Sequence, residues 1–328
     1  MAGLPGKNKV GVIGMTGCCG PALGRSGVDH LAAALAVPQA GAAVRAELAA
    51  ALIPLKGGFF DMGTRVSRFA QDHDAPRHRV RLSPFRISAT ACSNAEFARF
   101  VRATGYCTVA EREGWSSVFH LALPDPQRHP RHPPGLPWWR MVEGAFWATP
   151  EGAGSDIATR MDHPVVHVAW YDALAYCTWA GLSLPTEAQW EFAARGGLEH
   201  RKFPWGDALH PGGAHAMNIW QGRFPDINSA EDGHALTAPV RAFAPNGYGL
   251  YNCCGNVWEW VSNRYADSPP VGPFPLRDPI GPDHGTARIQ RGGSYLCHDA
   301  YCDRYHVHSR TRNDPDSSTG HAGFRVAG

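Results

Sequence analysis

Glycine and proline interrupt this chain so often that long helices and long strands are excluded. The 328 residues include 37 glycines and 27 prolines, and both residue types tend to end or bend regular elements. Eleven tryptophans accompany them, and large aromatic side chains bury much apolar surface per residue. The sequence therefore predicts a loop-rich fold that is held together by aromatic packing.

The chain divides into a tail and one folded unit. Residues 53–328 contain no charge run or polar linker that would mark a second boundary, so we expect one domain there. Residues 1–52 are predicted to be an N-terminal tail. Within it, Leu31–Leu52 is rich in alanine and leucine, which favours helix, but Pro38 and Gly41 would break the helix in two. A partly helical tail and a disordered tail are the alternatives, and we favour disorder.

Local signals place three helices. Ser93 and Glu96 form a capping box before an apolar face, and Gly105 ends that helix. Thr186 and Gln189 form a second capping box. A third helix is predicted over residues 172–180, and strands are predicted near residues 59–63 and 78–83.

Charge and cysteine content limit the partners and the compartment. A net charge of +2 without a basic stripe argues against nucleic acid, and no stretch approaches the ~20 apolar residues of a membrane helix. The apolar run Val10–Met15 is shorter than the roughly 7–15 residues of a signal peptide core. Nine cysteines without regular spacing make a poor disulfide framework. We therefore expect a cytoplasmic protein with reduced thiols and no membrane partner.

Two cysteines near the C-terminus, Cys297 and Cys302, are separated by four residues. Five residues of strand span about 16 Å, and five residues of helix leave Cα atoms roughly 8–9 Å apart and rotated away from each other. The two sulfurs can therefore meet only across a turn. The spacing alone leaves three alternatives: a disulfide, a metal site and unrelated thiols. A metal site would hold Cu(I) on two thiolates, or zinc if His298, His306 and His308 added ligands.

The segment around these cysteines resembles the catalytic segment of the formylglycine-generating enzymes, also called sulfatase-modifying factors. It reads GGSYLCHDAYCDRY over residues 292–305, followed by NDPDSS at 313–318 and GFR at 323–325. Further motifs stand in the family's order: LPTEAQWE at 184–191, PNGYGLY at 245–251 and GNVWEW at 255–260. The resemblance covers about residues 53–327. It implies an α+β fold: a single irregular domain of low regular secondary structure with a distorted C-type-lectin-like core.

That family oxidises a cysteine of a client protein to formylglycine, and the resemblance implies the same copper- and dioxygen-dependent activity here. Cys297 and Cys302 would bind Cu(I) as two thiolates, and the client cysteine would become a third sulfur ligand. Thiolates are the ligands that select this soft ion. Ser294 resembles the family's active-site serine, Trp258 would form an apolar wall, and Tyr301 would shape the turn.

Two oxygen-rich sets match the family's calcium positions. Asn side chains, carboxylates and backbone carbonyls are the hard ligands that Ca²⁺ takes, although Asn and Asp-Gly also favour turns without any metal. The resemblance implies a structural role for both ions. The implied ligands are Asn218, Asp232 and the carbonyls of Ile219 and His234 in the first site, and Asn252, Glu259 and the carbonyls of Gly255 and Val257 in the second.

The resemblance also implies partners. The family reads a Cys-x-Pro-x-Arg segment in an unfolded or nascent sulfatase-like polypeptide and consumes dioxygen and a reductant. Trp138, Trp139 and Ser155 lie in the stretch that resembles its peptide groove, and His321 occupies a further substrate-binding position. We expect a monomer. Two functions from other classes remain open: a non-enzymatic calcium-dependent binding module of the same fold, and a related enzyme that uses iron or zinc.

One departure from the family bears on the compartment. Secreted relatives carry structural disulfides, but Val326 stands where those relatives have a cysteine, which leaves Cys177 without a partner. This departure supports the expected reducing interior.

Overall fold

The computed structural model describes residues 27–268 and 274–328. The helices in this part of the chain are short, and the longest two have 11 residues each. This agrees with the loop-rich fold predicted from glycine and proline. The helices are α1 (His30–Leu35), α2 (Ala42–Ala50), α3 (Asn94–Thr104), α4 (Val109–Glu113), α5 (Trp170–Ala180) and α6 (Glu187–Ala194).

The strands are equally short, and the longest has seven residues. They are β1 (Ile53–Leu55), β2 (Gly58–Met62), β3 (His78–Leu82), β4 (Phe85–Ile87), β5 (Trp115–Phe119), β6 (Trp139–Glu143), β7 (Gly222–Arg223), β8 (Ile227–Asn228), β9 (Trp258–Arg264), β10 (Leu276–Arg277), β11 (Arg288–Arg291), β12 (Arg310–Asn313) and β13 (Ala322–Phe324).

Four strands form one sheet in the order β12-β11-β9-β13. In it β9 pairs antiparallel with β11 and parallel with β13, while β11 pairs antiparallel with β12. The other strands form a three-stranded sheet, β10-β3-β2, and the pairs β1-β4, β5-β6 and β7-β8. The predicted α+β fold with little regular structure is confirmed.

The β11–β12 connection carries both C-terminal cysteines. Arg291 and Arg310 pair at its base, so its two ends are held side by side. Inside it the Cys297 amide donates to the Ser294 carbonyl at 2.9 Å, and the Cys302 amide donates to the His298 carbonyl at 2.8 Å. The chain therefore makes a turn of the kind that two meeting sulfurs would need.

The helix signals in the sequence have the expected structural form. Ser93 and Glu96 exchange side-chain and backbone hydrogen bonds at the start of α3, and Gly105 ends it in the left-handed conformation. Thr186 and Gln189 form the same box at the start of α6. These caps satisfy amide groups that have no partner within the helix.

The N-terminal boundary differs from the one expected at residue 53. Helices α1 and α2 lie inside the predicted tail and are separated at Pro38 and Gly41, as the helical alternative required. Ala34, Val37 and Leu52 are buried in a core cluster shared with α5. Small alanine side chains let α1 approach α5 closely, so residues 30–52 belong to the folded unit. Residues 1–26 of the predicted tail lie outside the described residues.

Aromatic side chains form much of the core, as predicted. Five tryptophans are less than 2 % exposed: Trp139, Trp190, Trp220, Trp258 and Trp260. Within the described part of the chain, no helix has the length and apolar character needed to cross a membrane.

Candidate active site

Cys297 and Cys302 meet in the turn between β11 and β12. Their Sγ atoms lie 3.1 Å apart, and each residue is 1 % exposed. A disulfide bond would place the sulfurs about 2.05 Å apart, so no disulfide joins them. Two converging thiols of this kind are available as a pair of ligands for one soft cation. We call them the cysteine pair.

The surroundings of the cysteine pair determine its protonation. Burial raises the pKa of the Cys297 thiol well above its ordinary value, and the adjacent Cys302 raises it further. Against this, the Ser294 amide donates to Cys297 Sγ at 3.4 Å. The guanidinium of Arg304 lies 4.0 Å from Cys302 Sγ. Without a cation the Cys297 thiol is therefore protonated, and cation binding must release protons.

Arg304 is a site residue that the sequence analysis missed. It is buried and donates through Nη2 to Asp72 Oδ1 at 3.0 Å, while its guanidinium lies over the Phe69 ring at 3.9 Å. The loop before β3 therefore holds a positive charge beside the cysteine pair. No local sequence signal indicates this contact, since Asp72 and Arg304 are 232 positions apart.

A single small pocket brings together most of the predicted site residues. Its cavity volume is about 10 Å³, which is room for about one water molecule. The residues around it are Trp138, Trp139, Phe224, Trp258, Ser294, Leu296, Cys297, Tyr301, Cys302 and His321. Phe224 and Leu296 were not predicted. Ser155 was predicted but does not line the pocket; its hydroxyl bonds locally to the Gly152 carbonyl and the Glu151 amide.

We call the pocket that contains Cys297 and Cys302 the cysteine pocket, and His321 forms part of its wall. It is 2 % exposed, packs on Trp139 with ring centroids 4.7 Å apart, and shares a 2.7 Å hydrogen bond with the Thr319 hydroxyl through Nδ1. Burial lowers the pKa of His321 to about 3, with a smaller contribution from His167. The imidazole is therefore neutral near pH 7 and presents no charge to the pocket.

The three histidines considered as zinc ligands are engaged elsewhere. His298 Nδ1 lies 3.2 Å from an Asp299 oxygen, His308 Nδ1 lies 2.9 Å from Asp74 Oδ2, and His306 stacks on His308. Across residues 27–268 and 274–328, no three His, Cys, Asp or Glu side chains are grouped to hold a metal ion. The donor set at the cysteine pair is thus two sulfurs, which fits Cu(I) better than four-coordinate zinc.

The two predicted calcium positions each contain an unsatisfied oxygen. The side-chain carbonyl oxygens of Asn218 and Asn252 are buried without a hydrogen-bond partner. An unsatisfied buried acceptor costs about 1–3 kcal/mol, so both atoms suit a bound cation. Asp232 already accepts from the amides of Ile219 and His234.

Of the other predicted ligands of the second calcium position, Gly255 lies beside Asn218 of the first position, whereas Glu259 is engaged by other side chains. Glu259 accepts from Arg325 and from the Trp190 indole, which neutralises its charge. Gly255 has a φ of +72°, and a Cβ there would lie 2.3 Å from the Asn218 carbonyl oxygen. Only glycine lets these two segments approach so closely. The ligand roles of Glu259, Gly255 and Val257 stay predictions.

Buried ion pairs anchor both ends of the cysteine segment. Arg291, at its start, is 1 % exposed and pairs with Glu187 Oε1 at 2.7 Å and Glu191 Oε2 at 2.6 Å. It also donates to the Val307 carbonyl, near the end of the segment, at 2.7 Å. Burial alone would raise the pKa of Glu191, but the positive charges of Arg195 and Arg291 hold that pKa at about 2. Ion pairs between Arg291 and the two glutamates of α6 therefore hold the cysteine segment against that helix.

Comparison with known proteins agrees with this geometry. The family described as "Sulfatase-modifying factor enzyme 1-like domain" matches residues 39–328. The formylglycine-generating enzyme of Streptomyces coelicolor is 54% identical over 299 residues, covering 89% of this chain and 93% of the relative. That of Mus musculus is 50% identical over 278 residues, covering 84% of this chain and 74% of the relative.

A solved structure supports the fold alone. PvdO from Pseudomonas aeruginosa aligns with a TM-score of 0.61 at 24% sequence identity, covering 84% of this chain and 93% of that one. The family match covers most of the chain, and the identity to curated relatives is high, so these two comparisons show the family as well as the fold. This chain belongs to the formylglycine-generating enzyme, or sulfatase-modifying factor, family.

Proposed function

We propose that this protein oxidises a cysteine of a sulfatase-type client polypeptide to formylglycine, using copper and dioxygen. The observation that carries the proposal is the cysteine pair, two buried thiols 3.1 Å apart that line one pocket. Relatives of 54% and 50% identity that are named formylglycine-generating enzymes support it.

The proposed reaction balances with one external reductant. A –CH₂SH group, one dioxygen and two reducing equivalents with their protons give –CHO, hydrogen sulfide and one water. A bound Cu(I) would supply a soft centre that takes thiolate ligands and passes electrons to dioxygen.

The chain's own residues prepare the site for that cation. Cys297 and Cys302 would hold it as thiolates. The Ser294 amide and the Arg304 guanidinium donate to those sulfurs, so they stabilise the negative charge that deprotonation leaves. Trp139 and Trp258, each 1 % exposed, line the pocket with apolar surface and exclude bulk water from the reacting sulfur.

Calcium would serve the fold rather than the reaction. The orphaned oxygens of Asn218 and Asn252 support two structural ions in a chain with few long elements. We place the protein in a reducing compartment, and the described cysteines, which form no disulfide bonds, are compatible with that proposal. Among them Cys177 is buried, and its lack of a disulfide partner stays a prediction from its sequence context.

The direct test is conversion of a synthetic peptide that contains Cys-x-Pro-x-Arg. Full-length protein would be reduced, loaded with Cu(I) and incubated in air with the peptide and a thiol reductant. We expect mass spectrometry to show –CH₂SH replaced by –CHO, and no change when the peptide carries serine in place of cysteine. Omission of copper, or of oxygen, should stop the reaction. An unmodified peptide after incubation with copper-loaded protein would reject the proposed function.

A further inference from the structure

Charged side chains of the connection between β2 and β3 contact the cysteine segment, which is the connection between β11 and β12. Arg68 pairs with Asp303, and Asp72 accepts hydrogen bonds from Arg304 through both carboxylate oxygens. On its other side Arg304 reaches the cysteine pair, since its Nη1 atom lies 4.0 Å from Cys302 Sγ. One side chain, that of Arg304, therefore joins the Asp72 carboxylate to the cysteine pair.

Two hydrogen bonds fix the orientation of the Arg304 guanidinium. Its Nε and Nη2 atoms lie on one edge of the planar group, and both donate to Asp72. Such paired bonds hold a guanidinium in one geometry. The Phe69 ring covers the guanidinium at 3.9 Å, and Asp72 and Arg304 are only 6 % and 7 % exposed. Arg304 therefore presents its remaining nitrogen, Nη1, to the cysteine pair in a fixed position.

The backbone around Asp72 is held by residues other than Arg304. Arg310 of β12 lies with Nη1 3.4 Å from the Asp72 carbonyl oxygen. The hydroxyl of Tyr265, which directly follows β9, donates to the Gln71 carbonyl. These contacts tie Asp72 to the four-stranded sheet, so its carboxylate is a fixed point against which Arg304 is oriented.

A carboxylate near two thiols acts on them in two opposite ways. Its negative charge disfavours the thiolate, whereas a guanidinium that it orients favours the thiolate. Here the guanidinium lies between Asp72 and Cys302, so the positive charge is the closer of the two to the sulfur. Because Coulomb energy falls with distance, we expect the orienting effect to be the larger.

We propose that Asp72 is a positioning residue for the cysteine pair. Its carboxylate holds the Arg304 guanidinium where that positive charge stabilises the thiolate of Cys302, although Asp72 itself touches neither sulfur. The consequence for copper binding rests on the proposed function, because Cu(I) would take the two cysteines as thiolates. The consequence for thiol reactivity concerns the metal-free protein and does not depend on the proposed function.

Cu(I) affinity gives the first test, because the two effects of Asp72 predict opposite signs. In Asp72→Asn, which keeps the size of the side chain but not its charge, we expect about tenfold weaker Cu(I) binding, as for other residues that support metal ligands. Asp72→Glu restores the carboxylate and should recover part of the lost affinity. Reduced full-length protein would be titrated anaerobically against a chromogenic Cu(I) chelator. Unchanged or tighter binding in Asp72→Asn would overturn the proposal.

A double variant tests whether Asp72 acts through Arg304. Arg304→Leu alone should weaken Cu(I) binding at least as much as Asp72→Asn does. Adding Asp72→Asn to Arg304→Leu should then change the affinity by no more than about twofold, since residues that act in series do not contribute additively. Two losses that add would reject the positioning role.

Asp74→Asn is the matched control. Asp74 lies in the same connection, is 8 % exposed and has His308 as its partner at 2.9 Å. Its Cu(I) affinity should stay within about threefold of the wild type, even where its melting temperature falls, because Asp74 does not orient the guanidinium. A loss equal to that of Asp72→Asn would assign the effect to general loosening of the connection and would overturn the proposal.

Alkylation of the metal-free, reduced protein is the second test. Iodoacetamide reacts with thiolates, so Asp72→Asn should label at Cys297 and Cys302 about two- to fivefold more slowly than the wild type at fixed pH. Loss of packing alone would expose the thiols and make labelling faster. Peptide mass spectrometry gives the rates. If the wild type binds no Cu(I), the proposed function fails, whereas faster or unchanged labelling in Asp72→Asn overturns the positioning role.

Discussion

Cys297→Ser is expected to lower conversion of the client peptide by more than about 100-fold. Residues that only support metal ligands typically change activity or metal affinity by 10–100-fold, and Cys297 would be one of just two sulfur ligands. A serine hydroxyl keeps the size of the side chain but removes the soft donor that Cu(I) prefers. Peptide conversion measured by mass spectrometry at saturating copper gives the rate.

Cys177→Ser is the control for Cys297→Ser, because Cys177 is also a free thiol that is 1 % exposed. It lies in a different core cluster, away from the cysteine pocket. A hydroxyl there should lower the melting temperature and leave kcat/KM within about threefold, since it touches no reacting group. Retention of a tenth or more of the wild-type rate by Cys297→Ser would contradict the assignment of this cysteine.

Arg291→Met is expected to destabilise the fold by about 3 kcal/mol or more, because removing one partner leaves buried charge uncompensated. In this variant Glu187 would still pair with Arg310, and Glu191 with Arg195. The two buried carboxylates would nevertheless lose the guanidinium that pairs with both of them in the wild type. Methionine preserves much of the buried length of the side chain. Urea unfolding, extrapolated to water, measures the loss.

The matched control is Arg99→Met. Arg99 pairs with Glu47 at 2.7 Å, but their side chains are 39% and 62% exposed, so solvent screens the pair and the expected loss of stability is far smaller than in Arg291→Met. If both variants lose the same small amount of stability, the buried charge cluster does not anchor the site.

The same buried cluster predicts a direction for acid unfolding. The pKa of Glu191 is about 2 in the folded protein, below the roughly 4.3 of an unfolded glutamate. A depressed folded pKa contributes stability above pH ~4.3, and that contribution is lost as the pH falls towards 2. In Arg291→Met the pKa of Glu191 in the folded protein should rise. Ionised Glu191 should then contribute less to the free energy of unfolding, and that contribution should be lost at a higher pH than in the wild type.

Sequence patterns predicted the structural features that depend on residues close together in the chain. The capping boxes of Ser93 and Thr186 begin helices as expected. The cysteine spacing predicted that the two sulfurs could meet only across a turn, and they do meet across one. The family motifs predicted Trp138, Trp139, Ser294 and His321 near the cysteine pair, and these residues do line one pocket.

Contacts between distant segments could not be predicted in this way. Phe224 lies in a stretch that reads only as a turn, yet it stacks on Tyr301 across 77 positions of chain. Asp72 reaches Arg304 across 232 positions. The packing of α1 on α5 was missed for a related reason: small alanine side chains give little amphipathic signal, although they allow close helix contact.

Binding of Cu(I) to the cysteine pair tests the central claim most directly. Reduced full-length protein would be titrated anaerobically with Cu(I) against a chromogenic Cu(I) chelator, alongside Cys302→Ser and Cys177→Ser. We expect one Cu(I) per chain in the wild type and in Cys177→Ser, and a large loss of affinity in Cys302→Ser. Equal affinity in wild type and Cys302→Ser, or no Cu(I) binding at all, would contradict the claim that these two sulfurs hold the metal.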